Sequence, residues 1–368
     1  MQVAFDTLKE SLRAQAGMKR ASFELQLEEM NPLAISNWNE HILSTPRPSI
    51  FHTQNWLRVL KESYGYRPYY LAYFEKGRLV VLMPIMEIRS WITGTRGVSL
   101  PFSDYCEPII AEKACFPELF DNVVGMARQC KWKFIEIRGG DEWLRSAVPW
   151  SWYYRHILSL KGDESEIFGR LRSNYRAKIR KALRNDVKTE ILQTPEAMTE
   201  YYRLHCLTRK GHGLPPQPIL FFKKIYEHIV SQNLGFVLLA SHREKYLSGA
   251  VFFRFGKRAI YKFGAADMRY QHLNPNYLVF WNAIQWLYRN GCNELCFGKS
   301  APGNQGLIQF KDGWGTEKYR INYFRYELKT ASFAQNANQS MEAGYHIFRK
   351  MPVSLLKMAG TLLYPHVG

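Results

Sequence analysis

Phe120-Asp-Asn-Val-Val-Gly-Met-Ala-Arg-Gln-Cys-Lys-Trp-Lys-Phe-Ile-Glu-Ile137 and Phe280-Trp-Asn-Ala-Ile-Gln-Trp-Leu-Tyr-Arg-Asn-Gly-Cys-Asn-Glu-Leu-Cys-Phe297 lie 160 residues apart and read alike. Each is a run of helical period, a polar break, and a short strand-like alternation. Apolar hairpin patterns at 70–88 and 237–255 precede them at nearly the same offset. Helix followed by strand is a common order, so coincidence is the alternative. Two similar α/β units explain the repeat better.

The length agrees. A chain of 368 residues exceeds what one hydrophobic core usually organises. The reading gives an N-terminal domain over 1–155, a C-terminal domain over 156–330, and a linker with a basic helix over 331–368. In the first half a helix is expected at Thr53–Ser63. Strands follow at Pro68–Phe74 and Leu79–Ile88, then a helix at Pro117–Gln129 and a strand at Trp132–Ile137. In the second half, helix Ile167–Arg184 leads into a mixed helical region from Pro195 to Val230. Strands Phe236–Ser241, Leu247–Phe255 and Arg258–Gly264 come next. A helix then runs from Asn274-Pro275 to Arg289, followed by strand Asn293–Phe297, helix Gln305–Lys311 and strand Tyr319–Leu328. The polar stretch Thr330–Gln339 reads as a linker into a basic helix at Tyr345–Leu363.

Composition narrows the class. Hydrophobic residues are 46% and aromatics 15%, enough for folded cores. Apolar runs such as Phe236–Ala240 fall far short of the ~18 residues of a membrane span. The N-terminus shows no secretory pattern and the six cysteines form no paired framework, so a reducing, cytoplasmic setting is expected. The net charge of +18 points to an anionic partner: nucleic acid, a phosphorylated small molecule or an acidic membrane surface.

Three local patterns carry chemistry. In Phe168–Arg184, Leu171, Tyr175, Ile179 and Leu183 form an apolar seam beside Arg172, Arg176, Arg180 and Arg184. Like charges at that spacing repel by roughly 0.2–0.5 kcal/mol per pair, and a phosphate or carboxylate along the row would reverse the sign. A solvated face is the alternative. The second pattern is Phe297-Gly-Lys-Ser-Ala-Pro-Gly-Asn-Gln-Gly-Leu-Ile-Gln-Phe-Lys-Asp-Gly-Trp-Gly315, which sets Lys299 and Lys311 near a strand's carboxyl edge, where open α/β sheets bind ligands. The third is Leu100–Pro108, a loop carrying Asp104, Tyr105 and Glu107, where a carboxylate suits orienting or deprotonating an amine, with a cap or turn as the alternative for Asp104. Walker, Gly-x-Ser-x-Gly and His-Glu-x-x-His patterns are absent, and no metal site is expected.

The stretch from Leu171 to Tyr326 resembles the GNAT-like acyltransferases of the Fem type, which build peptidoglycan cross-bridges, and their relatives in exopolysaccharide gene neighbourhoods. The resemblance rests on Arg172-Ser-Asn-Tyr-Arg-Ala-Lys-Ile-Arg-Lys-Ala182, Thr208-Arg-Lys with Gly213 and Pro215–Phe222, Gly264-Ala-Ala-Asp267, Asn274-Pro-Asn-Tyr277 and Gly306-Leu-Ile-Gln-Phe-Lys-Asp-Gly-Trp-Gly315. Phe51–Trp56 and Pro101-Phe-Ser-Asp-Tyr105 look like the partner domain. The resemblance implies an α/β (α+β) fold of two tandem GNAT-like domains, each a mixed, mostly antiparallel sheet flanked by helices. It implies attack of an amine on an acyl-CoA or an aminoacyl-tRNA, neither held as a permanent cofactor, with an amine-bearing glycan or lipid-linked cell-envelope precursor as acceptor. By the same resemblance Lys311 stabilises the oxyanion or a phosphate and Asp104 and Tyr105 orient the amine. Arg172, Arg176, Arg180 and Lys299 hold donor phosphates, and Phe310, Trp314 and Tyr277 line the donor site. The glycine-bearing pyrophosphate loop of acyl-CoA enzymes is missing at Arg269–Tyr277, which sets CoA against the charged tRNA as donor. Two alternatives remain: a non-catalytic module binding RNA or anionic glycan, and a tail that touches the inner membrane face instead of packing on the N-terminal domain.

Overall fold

The computed structural model describes residues 27–111, 115–335 and 346–368. They divide into two compact units. Unit 1 takes the described residues of Met1–Trp152, Ile321–Gln339 and Pro365–Gly368, and unit 2 those of Tyr153–Arg320 and Ser340–Tyr364.

Unit 1 begins with strand β1 (Glu28–Met30), helices α1 (Trp38–Leu43) and α2 (Gln54–Tyr64), and the hairpin of β2 (Arg67–Glu75) and β3 (Arg78–Ile88). The hairpin turns on Lys76-Gly77, both at positive φ (47° and 77°), the geometry whose twist suits a two-residue loop. Strands β4 (Arg96–Val98) and β5 (Ile109–Ile110), helix α3 (Phe116–Gln129) and strand β6 (Phe134–Arg138) complete the first pass. Alternate residues Tyr69, Leu71, Val81, Met83, Ile135 and Ile137 face Leu119, Phe120 and Val123 of α3 in one core. The period of two in the strands meets the helical period in α3, which is how the sequence marks this face.

The chain leaves unit 1 within β7 (Ser151–Ser159). Unit 2 continues with α4 (Glu164–Arg170), α5 (Ser173–Arg184), β8 (Lys188–Leu192), α6 (Pro195–Gly211) and α7 (Ile219–Ile225), the last running on into a π-helical turn at Tyr226–Val230. Strands β9 (Gly235–His242), β10 (Lys245–Phe255) and β11 (Arg258–Ala266) are followed by α8 (Pro275–Arg289), β12 (Glu294–Ser300) and α9 (Gln305–Asp312). Strand β13 (Glu317–Glu327) returns the chain to unit 1, where β14 (Ser332–Phe333) pairs with it. Helices α10 (His346–Lys350) and α11 (Val353–Val367) end the chain.

The sheet of unit 1 runs β1-β2-β3-β4-β6-β13, and that of unit 2 runs β7-β12-β11-β10-β9-β8. Each is antiparallel except for one parallel pair, β4 with β6 and β11 with β12. These pairs carry the repeat: Gly97 stands opposite Ile135 in unit 1, and Ala259 opposite Leu295 in unit 2. In unit 2 the strands are covered on both faces. Phe236, Leu238 and Phe252 meet α5 and α8 in one core. Val237 and Leu239 are equally buried from the other side, so the strand reads as a continuous apolar run.

Several expectations shift. The helix over Ile167–Arg184 is two helices, because Leu171 and Arg172 are extended (ψ 143° and 142°). Leu183 is 57% exposed, and Ala182 takes its place in the core. Strand β8 was not expected at all; it is an edge strand whose alternate residues face solvent, so its hydrophobicity is low. The sequence reading extends the C-terminal domain to 330; the described residues of Ile321–Gln339 fall instead in unit 1, where Tyr323–Glu327 pair with β6 and Phe324 and Tyr326 join its core. The polar stretch Thr330–Gln339, which reads as a linker, contains β14, with Phe333 stacked 5.6 Å from Phe120; residues 336–345 lie outside those described. The sequence reading packs the last helix on the N-terminal domain. Its turns up to Tyr364 belong to unit 2, and Pro365–Gly368 alone to unit 1, where Arg96 donates to the His366 and Val367 carbonyls.

Candidate active site

In unit 2 the two parallel strands part company. β11 and β12 are in register only from Arg258 opposite Glu294 to Ile260 opposite Cys296. Beyond that β11 keeps β10 alone, while β12 bulges on β7 between Cys296 and Lys299, with Gly298 at φ 71°. A bulge re-aims the backbone and frees carbonyls that a regular ladder would pair.

Lys311 answers two of them. Its Nζ donates to the Gly298 carbonyl at 3.1 Å and the Lys299 carbonyl at 2.9 Å, and the residue is 2% exposed. The ammonium stands beside the splayed strand ends because α9 begins on an Asn304 cap and carries Lys311 in its last turn. After α9, the Asp312-Gly-Trp-Gly315 segment is forced to be glycine-rich. A Cβ on Gly313 would run into the Tyr175 ring, and one on Gly315 (φ 77°) would sit 2.9 Å from the Arg170 carbonyl. The Arg172 amide closes this contact by donating to the Gly313 carbonyl at 3.0 Å.

Four aromatic residues gather here. Tyr277 in the first turn of α8, Tyr175 on α5, Phe310 and Trp314 have ring centroids 4.9–6.1 Å apart. The Tyr175 hydroxyl donates to the Phe310 carbonyl at 3.1 Å, and burial pushes its phenol up. Lys178 Nζ donates to the Tyr277 hydroxyl at 2.8 Å and lies over its ring at 4.5 Å. The sequence singled out Tyr277, Phe310 and Trp314, and the fold brings them together. Trp314 is wholly buried against the other rings.

The arginine row is a different matter. Arg172 precedes α5 and is exposed, so the row within the helix starts at Arg176. Arg176 donates to the Gly169 carbonyl at 2.9 Å, one of the unpaired acceptors at the end of α4. Arg180 lies 5.8 Å over the Phe168 ring. Lys299 lies 4.4 Å over Tyr153.

The site also holds a residue that no sequence pattern marks. His156 on β7 is 0% exposed, with Nδ1 3.3 Å from Asp312 Oδ1, close enough for an ion pair though not aligned as a hydrogen bond. Lys318 takes Asp312 Oδ2 at 3.2 Å. Burial, and then the Lys311 ammonium, hold the imidazole down to about 4 against the pull of Asp312. A histidine inside a strand of mixed polarity carries no pattern that marks it.

Asp104 and Tyr105 lie in unit 1. Their loop is braced: the Asp104 carbonyl accepts from the Tyr323 hydroxyl at 2.7 Å, Arg138 donates to the Leu100 and Ser103 carbonyls, and Tyr105 packs edge-on to Phe51. His52 bonds the Glu107 carbonyl at 2.8 Å, and burial lowers its imidazole to about 4.

Residues 169–312 match the family described as the acetyltransferase (GNAT) domain. No curated protein matches the chain. Among solved structures, FemX is similar with a TM-score of 0.66 at 15% identity, over 83% of this chain and 98% of that one. A tandem GNAT protein from the clavulanic acid biosynthesis pathway gives 0.53 at 10% identity, over 83% and 99%. The C-terminal domain of a putative lysylphosphatidylglycerol synthetase from Agrobacterium fabrum gives 0.51 at 14%, over 77% and 90%. At these identities the likeness is one of fold.

Proposed function

We propose that this chain, whose residues 169–312 match the acetyltransferase (GNAT) domain family and whose fold is similar to that of FemX, is an N-acyltransferase acting on a cell-envelope or exopolysaccharide precursor. The donor in this reading is an acyl-CoA or an aminoacyl-tRNA, the acceptor an amine on a glycan or lipid-linked precursor, and the setting the cytoplasm. The observation that carries it is the parting of β11 from β12, with the Lys311 ammonium seated on the freed carbonyls. A cation held there in low dielectric is already oriented before charge develops, the arrangement that lowers a barrier most.

The chemistry asks little more. The amine nitrogen attacks the donor's carbonyl carbon, and a tetrahedral oxyanion forms. As it collapses, the carbon–sulfur or carbon–oxygen bond breaks, the nitrogen loses its proton, and the departing thiolate or alkoxide gains one. We assign Lys311 to the oxyanion or an adjoining phosphate. Arg172, Arg176, Arg180 and Lys299 are assigned to donor phosphates, and Tyr277 and Phe310 to the aromatic wall that Trp314 supports. One similar protein is named a putative lysylphosphatidylglycerol synthetase and another is described without AcCoA, so both donor classes enter the test.

The test is mass spectrometry of amine acceptors incubated with the chain and either acetyl-CoA or charged tRNA. Transfer is expected from one donor class, falling by about 10²–10³-fold in Lys311→Met. Lys311→Arg keeps a charge at the site and controls for folding. Salt-dependent RNA binding with no transfer from any donor refutes the enzyme and favours the binding module.

A further inference from the structure

Helix α11 meets unit 2 along one side. Leu356 is fully buried, and Gly360 lies so close to the Pro216 carbonyl that a Cβ would collide with it. The Tyr364 hydroxyl donates to the Pro215 carbonyl and accepts from Arg209. The outward side is apolar too. Leu355, Met358 and Leu362 are 44%, 62% and 67% exposed, at a spacing that sets them in one stripe. No helix among the described residues is long and apolar enough to cross a membrane; α11 rests on unit 2 through Leu356 and Gly360 and leaves this stripe at the surface.

The charges nearby name the occupant. From His346 to Gly368 the chain holds Arg349, Lys350 and Lys357 and no Asp or Glu, and all three cations are exposed. A second copy of a chain at +18 meets this surface with repulsion and offers no acidic counterpart on the same segment. An anionic bilayer satisfies both parts at once: its headgroups take the cations, and its acyl boundary takes the leucine and methionine side chains.

We propose that the Leu355–Met358–Leu362 stripe, with Arg349, Lys350 and Lys357 around it, docks the protein on an anionic lipid surface. This deepens the acyltransfer reading by naming where a lipid-linked acceptor is met, and it is tested by binding, apart from transfer. The full chain is sedimented with phosphatidylcholine vesicles and with vesicles containing phosphatidylglycerol. Binding to the second alone is expected, weakening with salt. The triple variant Leu355→Asn, Met358→Asn, Leu362→Asn is expected to lose tenfold or more of that binding. Arg349→Gln with Lys350→Gln is expected to lose about fivefold per cation. Circular dichroism and transfer to a water-soluble acceptor should stay unchanged in both. Absent pelleting of the unsubstituted chain, or equal pelleting of the triple variant, overturns the proposal. So does a dimer in analytical ultracentrifugation that the triple variant abolishes. A chain that binds lipid but transfers nothing leaves docking intact and sinks only the enzymatic reading.

Discussion

His205 offers a sharp test of how unit 2 is held together. It lies on α6, 5% exposed, among the rings of Tyr202, Phe222 and Phe263, with Nε2 2.7 Å from Gln217 Oε1. Burial, helped by the nearby Arg209 charge, lowers its imidazole to about 3, and the Gln217 bond only partly opposes this. The unfolded chain takes up that proton near pH 6.5 while the folded chain refuses it. Acid therefore favours unfolding: the cost is absent well above pH 6.5 and grows as pH falls from there toward the folded value. The slope is about 1.4 kcal/mol per pH unit, so roughly 2 kcal/mol is lost from this one site by about pH 5. His205→Phe removes the titration and strands the Gln217 oxygen, a pH-independent cost of about 1–3 kcal/mol. Urea unfolding across this range should show the stability difference between the two proteins narrowing by about 2 kcal/mol from pH 7 to pH 5. A difference that stays constant refutes the buried neutral imidazole.

Other consequences follow from the same reasoning. In unit 1, His52, lowered to about 4, should make stability fall between pH 6.5 and that value, and His52→Gln should flatten the slope in hydrogen-exchange measurements of β2 and β3. At the candidate site, Lys311→Met removes the charge that depresses His156, so nitrogen-detected NMR should show that imidazole titrating higher; an unmoved titration denies the coupling. Gly313→Ala forces a methyl into the Tyr175 ring and should cost about 1–3 kcal/mol, read as a lowered Tm that Tyr175→Leu partly restores. If Tyr277 lines the proposed donor wall, Lys178→Met, which removes the cation on its hydroxyl and ring, should leave the fold intact and raise KM with kcat nearly unchanged.

What the amino-acid sequence settled was local. The helical period of Phe116–Gln129 and Pro275–Arg289, the two-residue hairpin at Lys76-Gly77 and the apolar run Phe236–Ala240 each follow from neighbours in the chain. The glycines of Gly313-Trp-Gly315 and the rings of Tyr277 and Phe310 were visible as residues worth naming. Tertiary structure decided the rest. That Arg176 reaches the Gly169 carbonyl at the end of α4 depends on the extended pair Leu171-Arg172, which helical spacing hides. That His156 stands beside Asp312 depends on the antiparallel pairing of β7 with β12 and on where α9 ends, across more than 150 residues of chain. The last strand, β13, joins unit 1 because its side chains complete that core, a preference no local pattern encodes. Propensity and periodicity act over a few residues, while desolvation and charge pairing act between whichever groups the fold brings near.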